Sequence, residues 1–272
     1  MSMFTYRNAS DDDARTLQDL AIRALKLDLG AVNRSGVTAN MAGLQSDRYQ
    51  LSQRTDSRTI FLQDTEFRAH DGAGVFDGPD DELIDRAVQI LNDLGVDTSE
   101  VSDRNVATEQ VEAASIDRET GVITSAGIRD GKRYAVLSRI VDGMPVWRSG
   151  VTLGLTRDGY PGYLQLHWPE IPGDILESAR GYRAAESSDW SPPSIEYAEP
   201  ESMQAGILHS PAVSLVMDHV AAIRVVYRPL TADVGKKPVL YLDFDGQPVG
   251  LPRHFEETPG PIEGFRSVAN AA

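Results

Sequence analysis

The sequence predicts an α+β fold of antiparallel meander sheets, each packed by a helix, in two or three subdomains. Three observations carry this. Two amphipathic stripes each begin in a run of acid and stop at a glycine. Two Asp-Gly pairs, Asp142-Gly143 and Asp158-Gly159, sit between stretches that alternate apolar and polar. A last group of β-rich segments lies beyond a proline-containing break at 186–200.

The first helix opens at Ser10, with Asp13 three residues on in a capping-box spacing and Asp11 to Asp13 at the positive end of the helix dipole. Leu17, Leu20, Ala21, Ala24 and Leu27 form its apolar stripe, and Gly30 ends it. Residues 31–47 are small and polar and read as a loop. RYQLSQR and RTIFLQDTEFRA follow as strands, joined near Thr55-Asp56-Ser57. HDGAGVFDGPDDE is a glycine-rich, acidic break.

A second helix starts with Pro79 at its first position and Asp80, Asp81 and Glu82 in its first turn. Leu83, Ala87, Leu91 and Leu94 mark its buried stripe, widened by Ile84 and Val88, and Gly95 stops it. Strands are expected at 106–116, 133–141, 145–157 and 160–168. Asp-Gly tolerates the positive φ angles of a type I′ turn, so the two pairs join three strands into a meander. Val151, Leu153 and Leu155 then share one face, as do Leu164, Leu166 and Trp168, which leaves Gln165 and His167 on the other, with His167 exposed. The division expected is 1–70 as a helix with strands, 79–172 as a helix with a meander, 186–200 as a linker or long loop, 201–255 as a strand subdomain, and 256–272 as a tail.

Composition excludes several functions. With 26 basic against 41 acidic residues the net charge is −15, which disfavours a bulk grip on nucleic acid or anionic lipid. There is no cysteine, so thiolate catalysis, Cys-ligated metals and disulfides are absent. No apolar run reaches the length of about 18 residues that spans a bilayer. MSMFTYRNASDDDARTL lacks a basic start and apolar core and does not read as a signal peptide. The compartment stays open between cytoplasmic, as written, and extracytoplasmic after loss of a leader.

Asp142, Gly143, Met144, Pro145, Val146, Trp147 and Ser149, followed by Asp158 and Gly159, resemble the dGipVwgs step and later dG of PepSY-like and fungalysin/thermolysin-propeptide modules. The resemblance covers about residues 80–170, and the 10–69 segment reads as a degenerate copy. It implies a cystatin-like helix on a sheet. It also implies a non-catalytic module that inhibits or chaperones a peptidase or regulates a sensor, and so a protein partner. His-Glu-x-x-His is missing from this chain.

No Gly-x-Ser-x-Gly elbow, phosphate-binding loop or dinucleotide fingerprint occurs. Histidines 70, 167, 209, 219 and 254 are dispersed, with no pair at the spacing of one helical turn. His209, Ser210, Asp218 and His219 contain the residue types of a triad, but read more simply as a strand with polar ends. Asp243 and Asp245 suit a hairpin turn better than a cation loop. No cofactor or metal is implied.

Two further readings stand beside the binding module. One is a small-molecule site or enzyme on the concave sheet face, built from Arg139, Trp147, Tyr163, His167 and Trp168. The other is a structural protein that self-associates through its apolar strands at 213–227. The sequence leaves the oligomeric state open.

Overall fold

The computed structural model describes residues 10–30, 32–38, 41–54, 59–69, 74–186, 190–193, 198–211, 217–230 and 237–249. Among these, eleven strands form one α+β sheet, mostly antiparallel and packed by helices. Helix α1 (Asp11–Arg23) precedes β1 (Val32–Thr38), β2 (Met41–Ser46), β3 (Tyr49–Arg54) and β4 (Thr59–Asp64), with the short α2 (Thr65–Ala69) behind them. Helix α3 (Asp80–Asp93) precedes β5 (Val101–Ile116), β6 (Ile123–Val141), β7 (Met144–Leu155) and β8 (Pro161–His167). Helix α4 (Gly173–Glu186) precedes β9 (Ala198–Pro211), β10 (Met217–Pro229) and β11 (Val239–Leu242). A helix followed by a meander thus occurs three times.

The caps behave as the local chemistry requires. The Asp13 carboxylate accepts from the Ser10 backbone N–H at 2.7 Å and from its hydroxyl at 2.8 Å. Pro79 stands one residue before α3, in the cap, and Gly95 takes the left-handed conformation that ends the helix. The apolar stripes of α1 and α3 meet one face of the sheet. Leu17, Ala21, Leu83, Ala87 and Leu91 join Leu62, Leu153, Leu164 and Leu166 in the largest core cluster. Met144, Val146, Ala179 and Ile207 form a second cluster beneath α4.

Three expectations need correction. The 31–47 segment holds two strands, β1 and β2, and no long loop. VNRSGVT carries no apolar alternation, so β1 forms by pairing with β2, whose Ala42, Leu44 and Ser46 supply the buried alternation. Helix α4 was not anticipated, because GDILESARGYRAAE has only a faint apolar stripe. The second Asp-Gly pair is not a type I′ turn. Asp142 and Gly143 both have positive φ, but at 158–159 only Gly159 does, and the Gly159 N–H donates to the Thr156 carbonyl in a wider loop. Of the break at 186–200, residues 187–189 and 194–197 lie outside the described residues, as do the joint at 55–58 and the tail at 256–272.

The position that organises the rest is a bulge in β7. Its register with β6 jumps from Ser138↔Gly150 to Arg139↔Val146, leaving 147–149 outside the ladder. β6 takes one edge of β7 on both sides of the bulge. The other edge is shared: β8 pairs with it from Gly150 onward, and β9 pairs with it in parallel at Val146 and Trp147. The ends of β8 and β9 therefore meet at the bulge. Gly206 lets β9 come this close. A Cβ there would lie 2.6 Å from the Pro145 carbonyl oxygen and 2.7 Å from the Trp147 ring.

Candidate functional site

The meeting of β8 and β9 gathers histidines that the sequence scatters. His167 closes β8, His209 lies on β9, and His219 faces His209 as its cross-strand partner on β10. The His167 and His209 ring centroids are 4.0 Å apart, and those of His209 and His219 are 4.8 Å apart. All three are buried, so the expectation of an exposed His167 is wrong: the β9–β10 ladder covers it. His167 Nδ1 shares a 2.6 Å hydrogen bond with the Thr59 hydroxyl.

Both ring nitrogens of His209 and Nε2 of His219 are buried without a hydrogen-bond partner. Burial first, then the neighbouring His167, His219, Arg148 and Arg54, pushes the His209 pKa down to about 2. Burial and then Arg139 push His219 down to about 4. Both rings are neutral at physiological pH. Arg148, at the centre of the bulge, is held at φ 62°. Its Nε and Nη2 are buried and unpartnered, its guanidinium lies 5.7 Å from the Tyr241 ring centroid, and burial lowers its pKa. Among the described residues no three His, Asp or Glu side chains are grouped as a metal site.

The five residues expected to line a ligand site divide among four environments. Arg139 and Trp168 form a closed corner. The guanidinium stacks 5.0 Å from the indole, Nε donates to Glu100 at 2.7 Å, Nη1 donates to the Pro169 carbonyl at 2.6 Å, and Trp168 Nε1 donates to the same Glu100 oxygen at 2.9 Å. Tyr163 belongs to an aromatic cluster with Phe61, Phe67 and Tyr134, and burial raises the pKa of both tyrosines. Trp147 leans on Tyr241 at 5.3 Å. Only His167 enters the histidine cluster. An open cleft of about 530 Å³ lies elsewhere, lined by Lys26, Phe76, Glu82, Asp85, Arg86 and Tyr160 among others, and by none of the five. Asp243 caps its own turn, accepting from the N–H groups of Asp245 and Gln247.

A second feature was not foreseen. β6 pairs with β7 only from Ala135 onward, so among the described residues its first half is bound to β5 alone. The two strands leave the sheet as a ribbon roughly 35 Å long. Ile116, Val122, Ile123 and Ile128, at 56–70% exposure, stand on its outer part. Its tip is a defined turn in which the Asp117 carboxylate accepts from the N–H groups of Glu119 and Thr120, and Gly121 takes positive φ. No described helix is long and apolar enough to cross a membrane.

No protein-family model matches this sequence, and no curated protein matches it significantly. Among solved structures, it is similar to the C-terminal domain of Bacillus megaterium YpeB, with a TM-score of 0.38 and 10% identity over 92% of this chain and 99% of that one. It is also similar to an uncharacterized protein from Eubacterium rectale, with a TM-score of 0.42 and 13% identity over 91% of this chain and 83% of that one.

Proposed function

We propose that this protein is a non-enzymatic binding or regulatory module that engages a protein partner through the β5–β6 ribbon. The carrying observation is the ribbon itself. It leaves the body of the sheet, has a stretch before Ala135 with which no described strand but β5 pairs, and bears four exposed aliphatic side chains. Burying one such side chain contributes about 1.5–3 kcal/mol, so their exposure on a well-formed element favours a partner that covers them. An extended partner segment added to a ribbon edge is the recognition mode this geometry suits, with backbone bonds for affinity and the isoleucines for selectivity. The thrice-repeated helix and meander supports the PepSY-like reading and three subdomains within the chain, with α4 preceding the strands of the last.

The test compares the parent chain with an Ile116→Ser, Ile123→Ser, Ile128→Ser variant as bait, after circular dichroism has shown the same fold. The reading requires a near-stoichiometric protein retained by the parent and released by the variant. Equal retention by both, or none by the parent in any fraction of the source cells, would overturn it.

A further inference from the structure

We propose that the outer edge of β5 is a dimerisation strand: residues 104–112 pair antiparallel with the same residues of a second copy of this chain, about a two-fold axis through Thr108. The proposal rests on the ribbon as an interaction element and names the occupant of one of its edges.

The two edges of the ribbon are built differently. Where β5 steps from Thr108 to Gln110, β6 steps from Arg133 to Asp130, and where β5 steps from Glu112 to Ala114, β6 steps from Ile128 to Ser125. Both extra residues therefore lie on β6, and Gly127 takes positive φ inside one of the two bulges. Bulges of this kind twist an edge away from further pairing. β5 carries its one extra residue between Val101 and Arg104, so from Arg104 outward it runs without a bulge. Among the described residues only β6 pairs with it. RNVATEQVE, at 104–112, holds no proline and no lysine, the residues that commonly guard an edge. A regular, unguarded edge is a template for another strand.

Charge selects the strand and the register. A two-fold axis perpendicular to the sheet keeps each face on its own side, and directly opposed residues share a face. The axis must then pass through a residue. Through Thr108 it sets Arg104 opposite Glu112 of the second copy at both ends, with Val106 opposite Gln110 between them. An axis through Glu109 or Glu112 sets a carboxylate against its own copy, and one through Val106 sets Asp103 against Glu109. Axes through Ala107, Gln110 or Val111 oppose no unlike charges within β5. Opposite charges directly across a strand pair stabilise it and like charges destabilise it. Both partners are available. Arg104 has no hydrogen bond or ion pair among the described residues, and Glu112 takes the Ser125 hydroxyl on Oε1 at 3.0 Å, with Oε2 left over. The same register carries the exposed Ile116 alongside residue 100 of the second copy, which covers part of the ribbon's tip. The net charge of −15 opposes association. Salt at about 0.15 M screens charges more than about 8 Å apart and leaves the directly opposed pairs the least affected.

The experiment is sedimentation equilibrium of the full chain in salt at about that strength, over a wide range of protein concentration. The parent should fit a monomer–dimer equilibrium. Arg104→Glu and Glu112→Arg, each shown by circular dichroism to keep the fold, should each weaken the dimer tenfold or more. The double variant carrying both should restore it, because the exchanged charges again face each other. A parent that stays monomeric throughout overturns the proposal, and so does a dimer indifferent to Arg104→Glu. Failure of the double variant to recover overturns the register and the proposal with it. Should either single variant not fold, Thr108→Cys decides. The chain has no cysteine of its own, so a disulfide across the axis on mild oxidation supports the strand pair, and its absence overturns it. A monomeric parent whose ribbon still retains a different protein in the bait experiment loses only the second copy. Failure of both experiments removes the ribbon reading as well.

Discussion

Arg139 and Arg148 lie nine residues apart, on either arm of the same hairpin, and are treated in opposite ways. Arg139 is 5% exposed, yet its charge is answered by Glu100, its Nη1 by the Pro169 carbonyl, and its flat face by Trp168. Arg148 lies over the Tyr241 ring with Nε and Nη2 buried and unpartnered. A buried arginine matched by a counter-charge, a carbonyl and an aromatic face fixes a fold. One with two N–H groups left unanswered costs the fold stability.

Substitutions can break this contrast. Glu100→Ala should have the largest effect, costing about 3 kcal/mol in chemical denaturation because it strips Arg139 of its counter-charge while leaving it buried. A smaller loss, or none, would mean that Arg139 is as poorly matched as Arg148. Acid comes next. The folded-state pKa values of His209 and His219 lie below the ordinary value of about 6.5, so the unfolded chain takes up protons first. Stability is therefore complete above about pH 6.5 and falls as the pH drops towards 4, by at most about 1.4 kcal/mol per pH unit for each histidine. The His209→Phe variant should flatten that slope in denaturation midpoints measured from pH 7.5 to 4.5.

Gly206→Ala should cost about 1–3 kcal/mol, since the added carbon meets the Pro145 backbone and the Trp147 ring. The histidines should come apart with it, so acid sensitivity should weaken in the same variant. Arg148→Met should have the smallest effect, within about 1 kcal/mol of the parent and on the stabilising side, because a half-buried guanidinium with two unpaired N–H groups is removed. A loss of several kcal/mol there would place Arg148 in the same class as Arg139.

Local chemistry made much of the fold legible. The acid-led starts of α1 and α3, the glycine stop of α3, and the alternation in 151–155 and 164–168 each fix a structure through contacts a few residues long, whereas α1 ends at Arg23, well before the Gly30 expected to stop it. What escaped depends on distant pairing. VNRSGVT becomes β1 only because β2 lies beside it, and α4 has little amphipathic signal of its own. The candidate site was hidden for the same reason. His167, His209 and His219 meet because two strands share one edge of β7, and no spacing along the chain records that. The Trp147-Arg148-Ser149 step held a clue in its lack of a glycine where the ladder breaks, but the break itself is visible only in the register with β6. The ribbon was legible only in part: the sequence reading has strands at 106–116 and 133–141, while 123–132 becomes strand through its pairing with β5.

The bulge also divides one strand between two interiors. Met144 and Val146, before it, are packed under α4, whereas Val151, Leu153 and Leu155, after it, are packed under α1 and α3. Neither interior can be emptied without withdrawing half of β7 from the other. Cooperativity is therefore written into the connectivity: the two cores should melt in one transition, and a chain cut at residue 172 should lose helices at both ends of the sheet.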